Sequence, residues 1–410
     1  MSDLTPTQGG IAAAETTEPI SRVLTPVNER DETMTDGSET FNKDADLLFK
    51  LKSNAGYVDY KVNKFNVAAA SDAFGRVIFG ENDGSDVIEL SDDPAAFAVI
   101  MNIVHYRFIL VKKEPSIEEL FQICILLNKY DCTHLIQPWA DNWAAVLSSF
   151  AEGKTAAAAN FKALWVAWVL GCVAPFRQMA DSLIVTSKVD KDGDLVHISG
   201  AKVQDLVLPQ GLFDGIVDVR GKTVAALLSA IRKPMDHLTQ VNRLDNDASF
   251  CKVGSEASLC EMMLLASATR ILVPAGLYPV PSASKFTNSV GDIKDAVTSI
   301  RYEAWVGKTF APHKAHTGCN LGLMDSMRTI LEDMPSPVQQ THLAYLAKQA
   351  RLTAVDNGDT LQGYSGLAEN DGESELEDQT KVVDNGASTT TVSGPCEDAK
   401  AFDEVDEKDD

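Results

Sequence analysis

Between Asp46 and Val62 the chain changes side at every residue. Leu47, Phe49 and Leu51 alternate with Leu48, Lys50 and Lys52, a two-residue period that predicts a strand with one buried face. Ser53-Asn54-Ala55-Gly56 supplies residues that tolerate positive φ, and Tyr57–Val62 reads as the return strand of a hairpin, with Tyr60 and Val62 on one face. After Asn63, a good helix cap, the period lengthens. A helix is predicted from Lys64 to Phe79, with Phe65, Ala69, Ala73 and Val77 on one stripe and Phe74 and Ile78 widening it. Asp86–Leu90 reads as a short strand. Asp93 as cap and Pro94 at the first helical position open the next helix, with Phe97, Ile100, Val104 and Phe108 turned inward.

Ser116 and Glu119 form a capping box, in which each side chain accepts a backbone N–H at the start of a helix. Ile117, Leu120, Phe121, Cys124 and Leu127 follow at helical spacing, and Leu135, Trp139 and Trp143 then recur every four residues. Cys124 lies on the apolar stripe, and Cys132 lies at a helix junction. Neither has the electropositive setting of a reactive thiolate, so both read as structural. The order strand, strand, helix, strand, helix, helix, helix predicts an α+β unit, its helices packed on a short, mostly antiparallel sheet. Ala156–Phe176 is apolar enough to suggest a membrane span. Lys162 interrupts it, however, and Leu164, Trp165, Trp168 and Val169 recur at helical spacing, so a buried helix is expected.

Charge narrows the choice of partners. The 410 residues are 45% hydrophobic, enough for a substantial core, and carry a net charge of −23. Such a chain repels nucleic-acid phosphates and anionic lipid, so neither nucleic acid nor membrane is an expected partner. Residues 352–410 hold 17 acidic and 3 basic residues with few large apolar groups, the composition of a disordered acidic tail. Residues 1–43 lack periodicity and also read as disordered. They carry neither a basic n-region nor a long apolar run, and the seven cysteines are odd in number. Reduced thiols in an intracellular protein, cytoplasmic or nuclear and not secreted, are expected. The expected organisation is a disordered segment 1–43, an α+β domain 44–150, a mostly α-helical domain 151–350 and an acidic tail 351–410.

Asp46-Leu47, "YKVNKFNVAAASDAFGRVIFG", "DVIELSDDPAAFAVIMNIVHYRF" and "LFQICILLNKYDCTHLIQPW" follow one another in an order and spacing that resembles the fungal branch of the BTB/POZ family. The resemblance covers about residues 44–147. It implies a BTB/POZ-like domain that associates with other proteins or with a second copy of itself through the first strand and first helical hairpin. Leu47, Phe49 and Phe65 are the corresponding positions. Family members that recruit cullin ubiquitin ligases carry a hydrophobic-x-Glu contact after that hairpin, and Phe79-Gly80-Glu81 has this composition in a shortened, Gly-rich segment. "LWVAWVLG", "AGLYPVP", "NSVGDI" and the stretch from His316 to Ala350 resemble the helical C-terminal half of the same fungal proteins.

Catalytic groupings do not stand out. "RGKTVAALL" and "VGKTF" lack the upstream glycine of a phosphate-binding loop. In "KVDKDGDLVHI" the glycine comes too early for a calcium loop and no closing glutamate follows, so a hairpin turn is expected at Asp190–Asp194. One group has the right elements for a metal: Cys251-x8-Cys260, then His316-x2-Cys319. These residues could bind zinc tetrahedrally. The first spacing is loose, and Cys260 also fits an apolar stripe with Met263, Leu264 and Ser267, so packed cysteines are the preferred reading. The chain is therefore expected to be a non-enzymatic interaction protein without a cofactor. A cullin-ligase substrate adaptor and a nuclear regulator acting through its acidic tail are the alternatives.

Overall fold

The computed structural model describes residues 38–53, 56–80, 85–151, 161–240, 249–254, 256–305 and 316–358. Most of the two expected disordered ends lies outside the described residues. Order begins before the expected Asp44, however, and continues past residue 350.

The expected hairpin is present. β2 (Leu47–Ser53) and β3 (Gly56–Val62) run antiparallel, with Leu47 opposite Val62, Phe49 opposite Tyr60 and Leu51 opposite Val58. Their alternation sends Leu47, Phe49, Leu51, Tyr60 and Val62 into the core. The sheet is mixed and not mostly antiparallel, and its order is β1-β3-β2-β4. β1 (Ser38–Thr40) runs parallel to β3, and β4 (Val87–Leu90) runs parallel to β2. The crossover through the first two helices returns the chain in the direction of β2, as parallel pairing requires. Phe41, just after β1, is buried. Its backbone N–H donates to Lys61 O at 2.9 Å, and its ring meets Tyr60 edge-on at 5.2 Å.

The expected helix over 64–79 is two helices, α1 (Lys64–Ala68) and α2 (Asp72–Phe79). Asn63 caps the first, and Ser71 starts the second by accepting the Phe74 N–H at 3.1 Å. The break rotates the stripe, so Val67, Phe74 and Ile78 are buried while Phe65 and Ala69 face out. Asp93 caps α3 (Pro94–Val104) through the Ala96 N–H at 2.8 Å. α3 ends earlier than the stripe suggests. Tyr106 takes a φ of 61°, the backbone turns away, and Phe108 points outward. Within the core, Phe97 touches Phe49 at 5.2 Å, while Phe74 and Tyr130 stack at 4.2 Å. Tyr130 OH donates to the buried Asp92, which also accepts from Lys129 at 2.6 Å.

α4 (Ile117–Lys129) starts at the expected capping box, with both reciprocal hydrogen bonds present. A short 3₁₀ turn at Thr133–Ile136 leads to α5 (Ala140–Ala145) and α6 (Ser148–Ala151). Trp143 is fully buried, and its indole N–H donates to Lys112 O at 3.1 Å. α7 (Phe161–Leu170) is buried at every position from Ala163 to Leu170 because α4, α8 (Val173–Thr186) and α13 (Gln340–Thr353) surround it. Among the described residues, no helix is long and apolar enough to cross a membrane.

The remaining elements are the hairpin β5 (Lys188–Val189) and β6 (Leu195–Val196), α9 (Leu212–Thr239), α10 (Ala257–Leu272), α11 (Val290–Thr298) and α12 (Leu323–Glu332). The β5–β6 turn forms as expected, with Asp190 accepting the backbone N–H groups of Asp192 and Asp194, each at 2.9 Å. Two apolar cores result. The first runs from Phe41 to Val219 and takes in Leu343 and Leu346, so sheet, α7, α8 and α13 share it. The second runs from Val224 to Met327. The segment expected to begin the tail is docked on the first core. Thr353 Oγ1 donates to Leu170 O at 2.8 Å, and Asn357 accepts from Val173 N and donates to Gly171 O, both at 2.9 Å.

Candidate functional site

Of the three residues expected to form an association surface, Leu47 and Phe49 are core residues. They sit on the inward pleat of β2, a strand flanked by β3 and β4 inside the sheet. Phe65 is 63% exposed. It projects from α1 beside Phe79 at the end of α2, with ring centroids 5.9 Å apart, and Phe79 is exposed as well. Glu81, the acidic part of the expected cullin contact, lies outside the described residues.

A second exposed apolar run follows α3. Tyr106, Phe108, Ile109 and Leu110 all face out, Ile109 at 95% exposure. Tyr106 and Phe108 pack edge to face at 6.0 Å, and Phe108 leans on Trp139 at 5.7 Å. The segment is tethered at its root: His105 accepts the Asn63 N–H through Nε2 at 3.1 Å and bonds Met101 O through Nδ1 at 2.9 Å. That link also joins it to the start of α1, from which Phe65 projects. Sequence reasoning missed this run because Phe108 continues the α3 stripe. The available signal was the unbroken string Tyr-Arg-Phe-Ile-Leu after a helix that was already long enough.

The structure brings together the four Cys and His candidates, Cys251, Cys260, His316 and Cys319. All are buried, and their ligand atoms lie within 4.8 Å of one another. Cys251 sits in the turn before α10, and Cys260 is in the first turns of that helix. His316 and Cys319 sit in the loop before α12. Cys251 Sγ is 3.2 Å from His316 Nδ1, and the Lys252 N–H points at Cys319 Sγ at 3.4 Å. Burial pushes the Cys251 thiol up, yet hydrogen bonds from the backbone N–H groups of Gly254 and Val253 and from the Cys260 and Cys319 side chains outweigh it and hold the thiol below its usual range. Burial and the adjoining sulfurs of Cys319 and Cys251 push Cys260 up to about 12. Gly254 and Gly318 take φ of 82° and 88°. The turn at Gly254 aims its own N–H and that of Val253 back at Cys251, and the turn at Gly318 is closed by the Cys319 N–H donating to His316 O at 3.4 Å.

The other described cysteines have no such setting. Burial raises the thiols of Cys124, Cys132 and Cys172, the last to about 12, so they stay protonated and act as small apolar groups. His197 is buried against Ser199, far from the metal-type cluster in sequence, and His313 lies outside the described residues. Comparison with protein-family models, curated proteins and solved structures finds no match to this chain.

Proposed function

We propose that the chain is a non-enzymatic protein-association module whose unit of sheet and helices is BTB/POZ-like. The observation that carries this reading is the exposure, among other large apolar side chains on that unit, of Phe65 beside Phe79 and of the run Tyr106, Phe108, Ile109 and Leu110. A surface aromatic pair and a protruding aliphatic run cost free energy in water unless a partner covers them, and apolar patches of this kind mark interaction sites. The order of hairpin, helical pair, parallel third strand and capped helices supports the resemblance seen in the sequence. The partner is another protein, either a second copy or a different chain.

The test is light scattering and sedimentation of the intact chain, with affinity capture from native extract alongside. The intact chain is required because the first core draws on α7, α8 and α13 as well as the sheet. Phe65→Asp and Ile109→Asp place a charge on exposed positions, so both variants should fold. Each should weaken association at least tenfold, since an interface of about 1,200–2,000 Å² depends on a few apolar anchors. A chain that stays monomeric at tens of micromolar, and captures the same proteins before and after both substitutions, would refute the reading. The exposed Phe79 favours a cullin as the first heterotypic partner to try, and a pull-down without cullin would remove that case.

A further inference from the structure

We propose that Cys251, Cys260, His316 and Cys319 form a structural zinc centre that closes the second core. Three sulfurs and one imidazole nitrogen are the donor set of a closed tetrahedral zinc site, with all four positions filled by protein. Ligand atoms about 2.3 Å from a zinc ion stand roughly 3.7 Å apart at the corners of a tetrahedron. Here they already lie within 4.8 Å of one another. Side chains packed merely as small hydrophobes have no reason to point four lone-pair donors at a common centre, nor to bury an imidazole among sulfurs.

The surroundings fit a metal-bound thiolate. Three thiolates around a dication leave a net negative charge, which needs donors nearby. The Lys252 N–H is aimed at Cys319 Sγ, and the N–H groups of Val253 and Gly254 at Cys251. Each half-site contains a short turn with a left-handed glycine, Gly254 after Cys251 and Gly318 before Cys319. The halves are far apart in sequence, with Cys251 and His316 separated by 65 positions. One ion would therefore pin the turn before α10, the first turns of that helix and the loop before α12 to a single point. Those segments border the second core, where Cys251, Cys260 and Cys319 pack with Leu264, Leu321 and Leu323. With no open coordination position the ion's role is cohesion, and its binding energy becomes folding energy for this half of the chain.

The full chain, produced with zinc in the medium and dialysed against metal-free buffer, is assayed by elemental analysis for zinc, iron and copper, with thiol counting in denaturant and intact mass. About one zinc per chain is expected, with every cysteine free on denaturation. Cys319→Ser and His316→Ala should lose the zinc, His316→Cys should keep it, and Cys124→Ala should keep the wild-type zinc content. Because the zinc-losing variants can also misfold, the wild-type chain is tested directly. A thiol-modifying reagent should release the zinc, and cobalt exchanged into the site should show the intense visible absorption of tetrahedral thiolate coordination. A disulfide between any two of the three cysteines, stoichiometric iron or copper in place of zinc, or a folded chain with free thiols and no metal after zinc supplementation would each overturn the proposal. None of these outcomes depends on the association assay, so the two readings fail separately.

Discussion

Gly171→Ala tests whether α13 belongs to the first core. Gly171 joins α7 to α8 with a φ of 79°, where an alanine costs about 1–2 kcal/mol. A second cost comes from α13. A β-carbon added at Gly171 would stand 2.3 Å from Ala350 N and 2.8 Å from both Ala350 Cα and Leu346 O. These are backbone atoms of a helix and cannot rotate aside, so the helix itself must move. Overpacking of this kind costs about 1–3 kcal/mol, which brings the expected loss to about 2–5 kcal/mol. Gly193→Ala is the internal control. It has a φ of 91° with nothing within 4 Å, so it should show the conformational cost alone, about 1–2 kcal/mol.

The assay is urea unfolding followed by tryptophan fluorescence in a Trp305→Phe background. The four remaining tryptophans, Trp139, Trp143, Trp165 and Trp168, all lie in the first core, so the signal reports that core alone. The difference between the two alanine variants measures the approach of α13. If Gly171→Ala loses no more than Gly193→Ala, α13 does not press on the α7–α8 turn, and the first core closes without it.

Trp143→Ala should cost about 3–5 kcal/mol, because the ring is fully buried. Trp143→Phe should still cost about 1–3 kcal/mol, because Lys112 O loses its partner; scanning calorimetry reads both, and a Phe variant as stable as wild type would remove the hydrogen bond from the account. Stability should also fall on mild acidification: burial lowers the pKa of His105 and of His342, so both are bound neutral, and the stability they contribute is full above the unfolded histidine value of about 6.5 and is lost as pH drops through their folded values. Each ring accepts a backbone N–H, from Asn63 and from Gln339, so protonation would set donor against donor; a His105→Gln, His342→Gln chain that keeps the wild-type pH slope of the urea midpoint would refute this.

Local signals in the sequence were the ones that translated. The β2–β3 hairpin turns within a few residues, and the Asn63, Asp93 and Ser116 caps and the Asp190 turn each depend on atoms within a few residues of one another. Periodicity failed where a cap interrupted it. Ser71 competes for the Phe74 N–H and breaks the run that joined Phe65 to Val77, which moves Phe65 from stripe to surface. The left-handed Tyr106 does the same to Phe108. Strand direction was not legible either, because the pairing of β4 with β2 is decided by how a whole crossover packs. The Cys251–Cys319 group was legible as residue types but not as a site. Its loose first spacing argued against a metal, and only the packing of α10 beside the loop before α12 brings the two halves together.

The two cores meet along α9, whose 28 residues span roughly 42 Å at 1.5 Å per residue. Leu212, Ile216 and Val219 face the first core, and Val224, Leu227, Leu228, Ile231 and Met235 face the second. Arg220 falls between the two sets and is buried. Its Nε donates to Ser187 O at 3.2 Å and its Nη2 to Asn288 O at 2.8 Å. Ser187 is the C-terminal cap of α8, where unsatisfied carbonyls carry partial negative charge, so a guanidinium is well placed there even though burial lowers its pKa. The seam is thus a polar clasp between two apolar masses on one continuous rod. Separating the cores would leave a buried cation and two carbonyls without partners, which is costly. Each core keeps its own apolar set on its side of the clasp. The exposed apolar residues lie on the surface of the unit built around the first core, and Cys251, Cys260 and Cys319 pack in the second. A change at the proposed metal centre should therefore unsettle α10 and the loop before α12 while the association surface keeps its shape.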